Sequence, residues 1–384
     1  MKNRIYLDHA ATTPVSETVM NDMLPYFRKE AGNASAIYGT GREARKAIEK
    51  ARNQVAEALG AESGEIIFTG GGSESDSLAV KGTAFALERK GNHIVTTAIE
   101  HPAVLNSCRW LEKHGFEVTY VRPDSEGLID PERIRKALRE DTVLISVMAA
   151  NNEIGTLEPV SAIGRIAGEK GILFHVDAVQ AVGAVPVDVN EWNADLVSLS
   201  AHKFYGPKGV GALYVRKGTR IDPLITGGEQ ERGLRAGTEN VPGIVGLGRA
   251  IEEATEKLQQ NAAKTSMLRD RLADGILSSV PDAFLNGSKE RRLPNNCSIR
   301  FGRIDGEALL LRLDLAGIAA SAGSACTAGS QENSHVLKAI GLSDDEAKSS
   351  LRLTTGEENT EEEIDETVRT VKEIVEDLRR MFRG

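Results

Sequence analysis

The chain has only three cysteines in 384 residues, Cys108, Cys297 and Cys326, and they lie far apart. That number and scatter exclude a disulfide framework and a zinc site and point to a reducing, cytoplasmic setting. No apolar run approaches the ~20 residues of a membrane span. The opening residues, M-K-N-R-I-Y-L-D, lack the apolar core of a signal peptide. Basic residues are not in excess: 47 Lys and Arg against 56 Asp and Glu give a net charge of −9, which argues against non-specific nucleic-acid binding. Neither a G-x-G-x-x-G after the first strand nor a Walker loop occurs, so a dinucleotide or NTP site is not indicated. The remaining composition, 40% hydrophobic and 27% charged, is that of a globular protein with a substantial core.

Strand-like and helical patterns alternate through most of the chain. A helix is expected from Ser16, a residue suited to the N-cap, and a second over residues 42–59, where Ala44, Ala47, Ile48, Ala51, Val55 and Leu59 recur at helical spacing. Residues 65–69 read as a strand running into T-G-G-G-S-E-S, which opens a helix through Leu87. Strands over 93–97, 116–121, 142–149 and 172–176 follow, separated by helices over 102–114 and 161–170. The uninterrupted apolar run at 142–149 suits a strand buried on both faces. This β-α-β order predicts an α/β protein with a mostly parallel sheet and helices on both faces. After about residue 240 the pattern changes: 241–280 is helical with a break expected near Ala263, then short strands mix with helices, and Thr360 and Glu363 stand in capping-box spacing before a last helix. We therefore expect a large domain over 16–255 and a smaller α+β domain from 1–15 and 256–384.

Polar residues gather just past these strands, where open α/β sheets bind their ligands. D-L-V-S-L-S-A-H-K-F-Y-G-P-K-G-V-G, residues 195–211, delivers Ser200, His202 and Lys203 at the end of a strand. A lysine there suits a Schiff base if a dry pocket and a cationic neighbour such as His202 lower its pKa. The three glycines before Ser73, Gly72 the last of them, let the backbone come close to a ligand, and with the helix beginning at Ser73 they suit one phosphate. H-V-D-A-V-Q places Asp177 to face a ring nitrogen, with Gln180 as a donor nearby. His101, in I-E-H-P-A, suits stacking on a flat cofactor and proton transfer. Asn152, in N-N-E-I-G, can meet a ligand oxygen, and Arg352, in S-S-L-R-L, can clamp a carboxylate. Cys326 stands in S-A-G-S-A-C-T-A-G-S, a stretch without apolar anchors that is expected to form a mobile loop, as would suit a nucleophilic thiol. Each residue alone also has a plainer reading: a surface lysine or arginine, a capping aspartate or histidine, an Asn-Asn turn, a flexible glycine turn. Cys108 and Cys297 read as structural.

Taken together, these motifs resemble the NifS/IscS-type cysteine desulfurases of the class V aminotransferase group. The resemblance runs from Y-L-D-H-A-A-T-T-P-V through I-E-H-P-A-V, N-N-E-I-G, H-V-D-A-V-Q, S-A-H-K-F-Y-G-P-K-G-V-G-A-L-Y and G-G-E-Q-E-R-G-L-R-A-G-T-E-N to S-A-G-S-A-C-T. It implies the pyridoxal 5'-phosphate fold-type I, aspartate aminotransferase-like, and conversion of L-cysteine to L-alanine with the sulfur kept on Cys326 as a persulfide. It further implies that Lys203 holds the cofactor as a Schiff base, with Asp177 at the ring nitrogen, Gln180 at the phenolic oxygen and His101 stacked on the ring. Gly72, Ser73, Ser200 and His202 would bind the phosphate, with Thr238 from the other subunit of a homodimer. Asn152 and Arg352 would hold the substrate. An iron–sulfur scaffold would be the acceptor, and no metal site is implied beyond a transient contact of Cys326 with a cluster. The phosphate turn reads G-G-S-E-S where relatives commonly have alanine and threonine; the serine keeps the hydroxyl. Selenocysteine lyase or another class V enzyme is the alternative reading, and neither needs Cys326.

Overall fold

Every residue of Thr142–Met148 is buried, as the apolar run predicts, and this strand lies in the interior of the main sheet. The computed structural model describes residues 4–322 and 333–381. In chain order the strands are β1 (Ile5–Tyr6), β2 (Ile66–Thr69), β3 (His93–Thr97), β4 (Glu117–Val121), β5 (Thr142–Met148), β6 (Leu173–Asp177), β7 (Leu196–Ser200), β8 (Gly211–Val215), β9 (Ala283–Leu285), β10 (Asn296–Phe301), β11 (Ile318–Ala319) and β12 (Ser350–Thr354). Seven of them form one sheet in the order β2-β8-β7-β6-β5-β3-β4. The four pairings from β4 to β7 are parallel, and β8 runs antiparallel to both β7 and β2.

Helices cover this sheet on both faces because each buries one stripe. In Gly39–Leu59 the buried residues include Ala44, Ala47, Ile48, Ala51, Val55 and Leu59, the set read from helical spacing, and Gly60 ends it in the left-handed conformation (φ 68°). Ser16 caps Glu17–Arg28 by accepting from Val19 N at 3.2 Å.

The later chain forms two smaller sheets, β12-β10-β9 and β1-β11. A separate apolar cluster joins Ile5 and Leu7 to Leu272, Ile299, Leu353 and Val375. The helical stretch 241–280 breaks at Lys257, between Val241–Glu256 and Leu258–Ser279, rather than at the expected Ala263. The cap of the first helix decides this: Lys257 N donates to Glu253 O, and its backbone (φ −95°, ψ 1°) leaves the helical region. Thr360 and Glu363 form the expected capping box, each side chain accepting from the other's backbone N–H at 3.3 Å. Among the described residues no helix is long and apolar enough to cross a membrane.

Candidate active site

Lys203 closes the turn Ala201–Lys203, immediately after β7. Its Nζ donates to the carbonyl of Ala10 and, at 2.9 Å, to that of Ala11. Gln180, three residues past β6, donates from Nε2 to the same Ala10 carbonyl at 3.0 Å. The segment after β1 is stitched over the ends of β6 and β7. Thr13 N and Oγ1 both donate to the His202 carbonyl, at 2.9 and 3.1 Å, and Tyr205 N donates to Thr13 Oγ1 at 2.8 Å.

Asp177 ends β6 at 5% exposure, and its Oδ1 accepts from Val179 N at 2.9 Å. Burial raises its pKa above the usual carboxylate range, and the charge of Lys203 pulls it back. Behind it, burial pushes Asp76 and Glu100 well above that range too. His175 shares this layer; burial holds it down to about 3, and its ring nitrogens meet Ser146 Oγ at 2.8 Å and Ser198 Oγ at 3.0 Å. Burial thus disfavours the charged form of all three carboxyls, and Asp177 is the one drawn back toward ionisation by Lys203.

His101 is both cap and neighbour. Its Nδ1 accepts from Ala103 N at 3.2 Å at the start of Pro102–Glu112. Burial, then the charges of Lys203 and His335, lower its pKa to about 4. His202 is lowered to about 4 as well, by burial, Lys203 and Lys208. Burial and the two lysines thus disfavour the cationic form that was expected of His202 beside Lys203; its Nδ1 lies 3.1 Å from Thr12 Oγ1. A half-buried imidazole next to two lysines takes up a third positive charge less readily.

The glycine turn packs against the end of β7. A Cβ on Gly72 would stand 2.8 Å from Val179 Cγ2 and 3.4 Å from Ser200 Cβ, so the backbone approaches this floor as only glycine allows. Gly71 adopts φ 146° as the helix cap, and Ser73 is exposed in the first turn of Gly72–Ser77. Thr238 is exposed, and among the described residues no hydrogen bond joins it to this turn.

Arg352 is not a surface arginine. It lies in β12 at 1% exposure, with Nη2 2.7 Å from Asp8 Oδ1 and Nη1 donating to the Asn152 carbonyl at 3.0 Å. Cys326 lies outside the described residues. The chain on either side of 323–332 reaches the site: Ser321 pairs with Arg352 through two backbone hydrogen bonds, and His335 Nε2 donates to the Glu100 carbonyl at 2.9 Å. Cys108 and Cys297 are buried free thiols, as expected of structural cysteines, and burial pushes both up to about 12.

The aminotransferase class-V family model matches residues 5–367 of this chain, nearly its whole length. The chain belongs to that family. It is 52% identical over 379 residues to a cysteine desulfurase IscS of Dictyoglomus turgidum, covering 99% of this chain and 96% of that one. It is 54% identical over 377 residues to a cysteine desulfurase IscS of Methanosarcina thermophila, covering 98% and 93%. Among solved structures it resembles a NifS-like protein with a TM-score of 0.92 at 42% identity, over 98% of this chain and all of that one. It also resembles SspA in complex with cysteine, with a TM-score of 0.82 at 40% identity, over 92% and 99%.

The class-V donor set here fits a pyridoxal phosphate. A strand-end lysine, a buried carboxyl whose charge needs a cation, two imidazoles whose pKa burial lowers and a turn that a Cβ would fill follow strands of the same sheet. Reading the sequence missed Asp8, the carbonyls of Ala10 and Ala11, the buried Asp76 and Glu100, and the half-buried His335. Asp8 stood in the Y-L-D-H-A-A motif, which was a usable signal. Backbone carbonyls carry none.

Proposed function

We propose that the protein is a pyridoxal-phosphate-dependent cysteine desulfurase that converts L-cysteine to L-alanine and hands the sulfur to iron–sulfur cluster assembly. The observation that carries this reading is the convergence of Lys203 and Gln180 on the Ala10 carbonyl beside Asp177. Identity near 50% to cysteine desulfurases along the full chain supports it.

In this reading Lys203 would hold the cofactor covalently. Asp177 would accept from its ring N–H, Gln180 would donate to its phenolic oxygen, and uncharged His101 would stack on its ring. Gly72, Ser73, Ser200 and His202 would hold the phosphate, with Thr238 supplied by the partner in a homodimer. When bound, the cofactor serves as the electron sink that lets the substrate Cα–H and Cβ–S bonds break. Lys203 Nζ, freed as an amine when the substrate's amino group takes its place, would take the α-proton. Arg352 and Asn152 orient the substrate. The Cys326 thiolate attacks the substrate sulfur; the Cβ–S bond breaks with its electron pair left on the carbon side, a proton completes the alanine methyl group, and Cys326 keeps the sulfur as a persulfide. Residues 16–255 form the large cofactor domain, and 1–15 with 256–384 the small domain carrying Cys326. Cytoplasmic residence suits a free-thiol chemistry.

The test is incubation of the cofactor-loaded protein with L-cysteine and a reductant, with sulfide and alanine assayed together. Equal release of both is expected. Alanine without sulfide, or sulfide release that survives Cys326→Ser, would sink the assignment in favour of another class V reaction.

A further inference from the structure

β2 is an edge strand of the seven-stranded sheet, so one side of it has no neighbouring strand. Two side chains take that place. Arg52 Nη1 donates to the Ile66 carbonyl at 2.8 Å, and Glu231 Oε2 accepts from Phe68 N at 2.9 Å. The same two groups bind each other through two bonds, Nη1 to Oε2 at 2.7 Å and Nη2 to Oε1 at 2.9 Å, at side-chain exposures of only 6% and 4%. Arg52 also lies over the Phe68 ring, 4.7 Å from its centroid. The Arg52–Glu231 pair thus occupies β2's open edge as a strand would, one donor and one acceptor in register.

What this clamp holds is an unusual piece of backbone. Glu231 (φ 45°) and Arg232 (φ 58°) are consecutive left-handed residues, neither of them glycine. Such a conformation persists only when its surroundings impose it. A second tie follows four residues later. Arg235 Nε donates to Glu74 Oε1 at 2.8 Å, and Glu74 Oε2 accepts from Gly70 N at 2.8 Å. Segment 230–238 is therefore fastened at two points to β2 and to the glycine turn that β2 leads into, and it ends at the exposed Thr238.

We propose that Arg52 and Glu231 are positioning residues for the cofactor phosphate of the partner subunit. They fix the strained segment on their own subunit's β2 edge, so that Thr238 is presented outward to the other site of the dimer. This inference rests on the reading that Thr238 serves the partner's phosphate. A buried bidentate pair is suited to the task, because breaking it leaves one charge uncompensated and releases the turn.

The clamp and the site it serves then lie on different chains, which hybrid dimers can separate. Glu231→Gln homodimers should bind pyridoxal phosphate about tenfold more weakly than wild type, as for the loss of one charge-assisted hydrogen bond. The 31P resonance of the bound cofactor should shift with it. In a hybrid of one E231Q chain with one K203A chain, the lysine-bearing site receives Thr238 from the chain with an intact clamp. Its affinity, 31P resonance and activity per lysine site should return to wild-type values. A hybrid of a wild-type chain with an E231Q/K203A chain should be as weak as the E231Q homodimer. The reverse pattern would mean that the pair acts on its own cradle, and an E231Q homodimer indistinguishable from wild type would reduce it to an edge cap; either overturns the proposal. If E231Q alone does not fold, R52M/E231Q removes both buried charges and is read in the same two hybrids. A Thr238→Ala homodimer of undiminished affinity would instead remove the underlying reading of Thr238. An impaired T238A beside a silent E231Q would remove only the clamp.

Discussion

Arg352 and Asp8, 344 residues apart in sequence, meet at 2.7 Å between Nη2 and Oδ1. The contact ties β12 to the segment that follows β1, and through Ala10 and Ala11 to the amine of Lys203. Asp8 orients the guanidinium that the proposed function assigns to the substrate carboxylate. It also supplies the counter-charge for an arginine that is almost wholly buried. Replacing Arg352 by lysine keeps the charge but loses the planar fork. We expect R352K to raise KM for L-cysteine by about tenfold or more, with the visible spectrum of the bound cofactor unchanged. Asp8→Asn should lower the unfolding free energy by about 3 kcal/mol, read by denaturant titration, because Arg352 loses its charge partner. An unchanged KM in R352K would remove the carboxylate clamp from the mechanism.

The glycine turn offers a steric test. A Gly72→Ala side chain would meet Val179 Cγ2 at 2.8 Å, which requires the turn or Val179 to move. Cofactor affinity should fall about tenfold, equivalent to about 1.4 kcal/mol. The double variant G72A/V179A removes the opposing methyls and should recover most of the loss in a double-mutant cycle. Additive losses would show that the contact with Val179 is not the reason for glycine.

His101 makes a prediction about pH. Its pKa is lowered from 6.5 to about 4. Between those values the unfolded chain binds a proton that the folded chain does not, so this residue's contribution to stability is present above pH 6.5 and lost as pH falls toward 4. His101→Asn should make the fall in unfolding free energy across that window shallower, by up to ~1.4 kcal/mol per pH unit. The ring resonances of His101 should stay flat in NMR spectra recorded from neutral pH down to about pH 5. Titration near the ordinary histidine value would contradict the burial account.

Cys108 and Cys297 are 0% and 1% exposed, and burial pushes both up to about 12. At neutral pH their thiolate population is negligible, and a thiol reagent acts on the thiolate. Mass spectrometry after native alkylation should find neither labelled, and both should label in denaturant. Native modification of either would mean that its surroundings open in solution.

Much of this molecule was legible from residue order. Helical spacing picked out the buried stripe of Gly39–Leu59, and Ser16 and the Thr360–Glu363 pair marked helix starts, because capping and amphipathicity are local and act within one or two turns. The run at Thr142–Met148 announced a strand buried on both faces. The helix break was misplaced by six residues, since Ala263 carries no stop signal and the cap at Lys257 depends on how its backbone leaves the helix.

The site divides in the same way. The sequence by itself determined which residue types stand at the strand ends: Lys203, Asp177, Gln180 and His101 were each recognisable from motif and chemistry. Only the tertiary structure decided their company. Asp8 reaches Arg352 across most of the chain, Ala10 lends a carbonyl to both Lys203 and Gln180, and the clamp on β2 joins Arg52 to Glu231 across 179 positions. His202 was expected to be a cation, and burial with Lys203 and Lys208 disfavours that charge. Local order sets propensity and chemical type. Burial, and the long-range contacts that create it, set charge and partner.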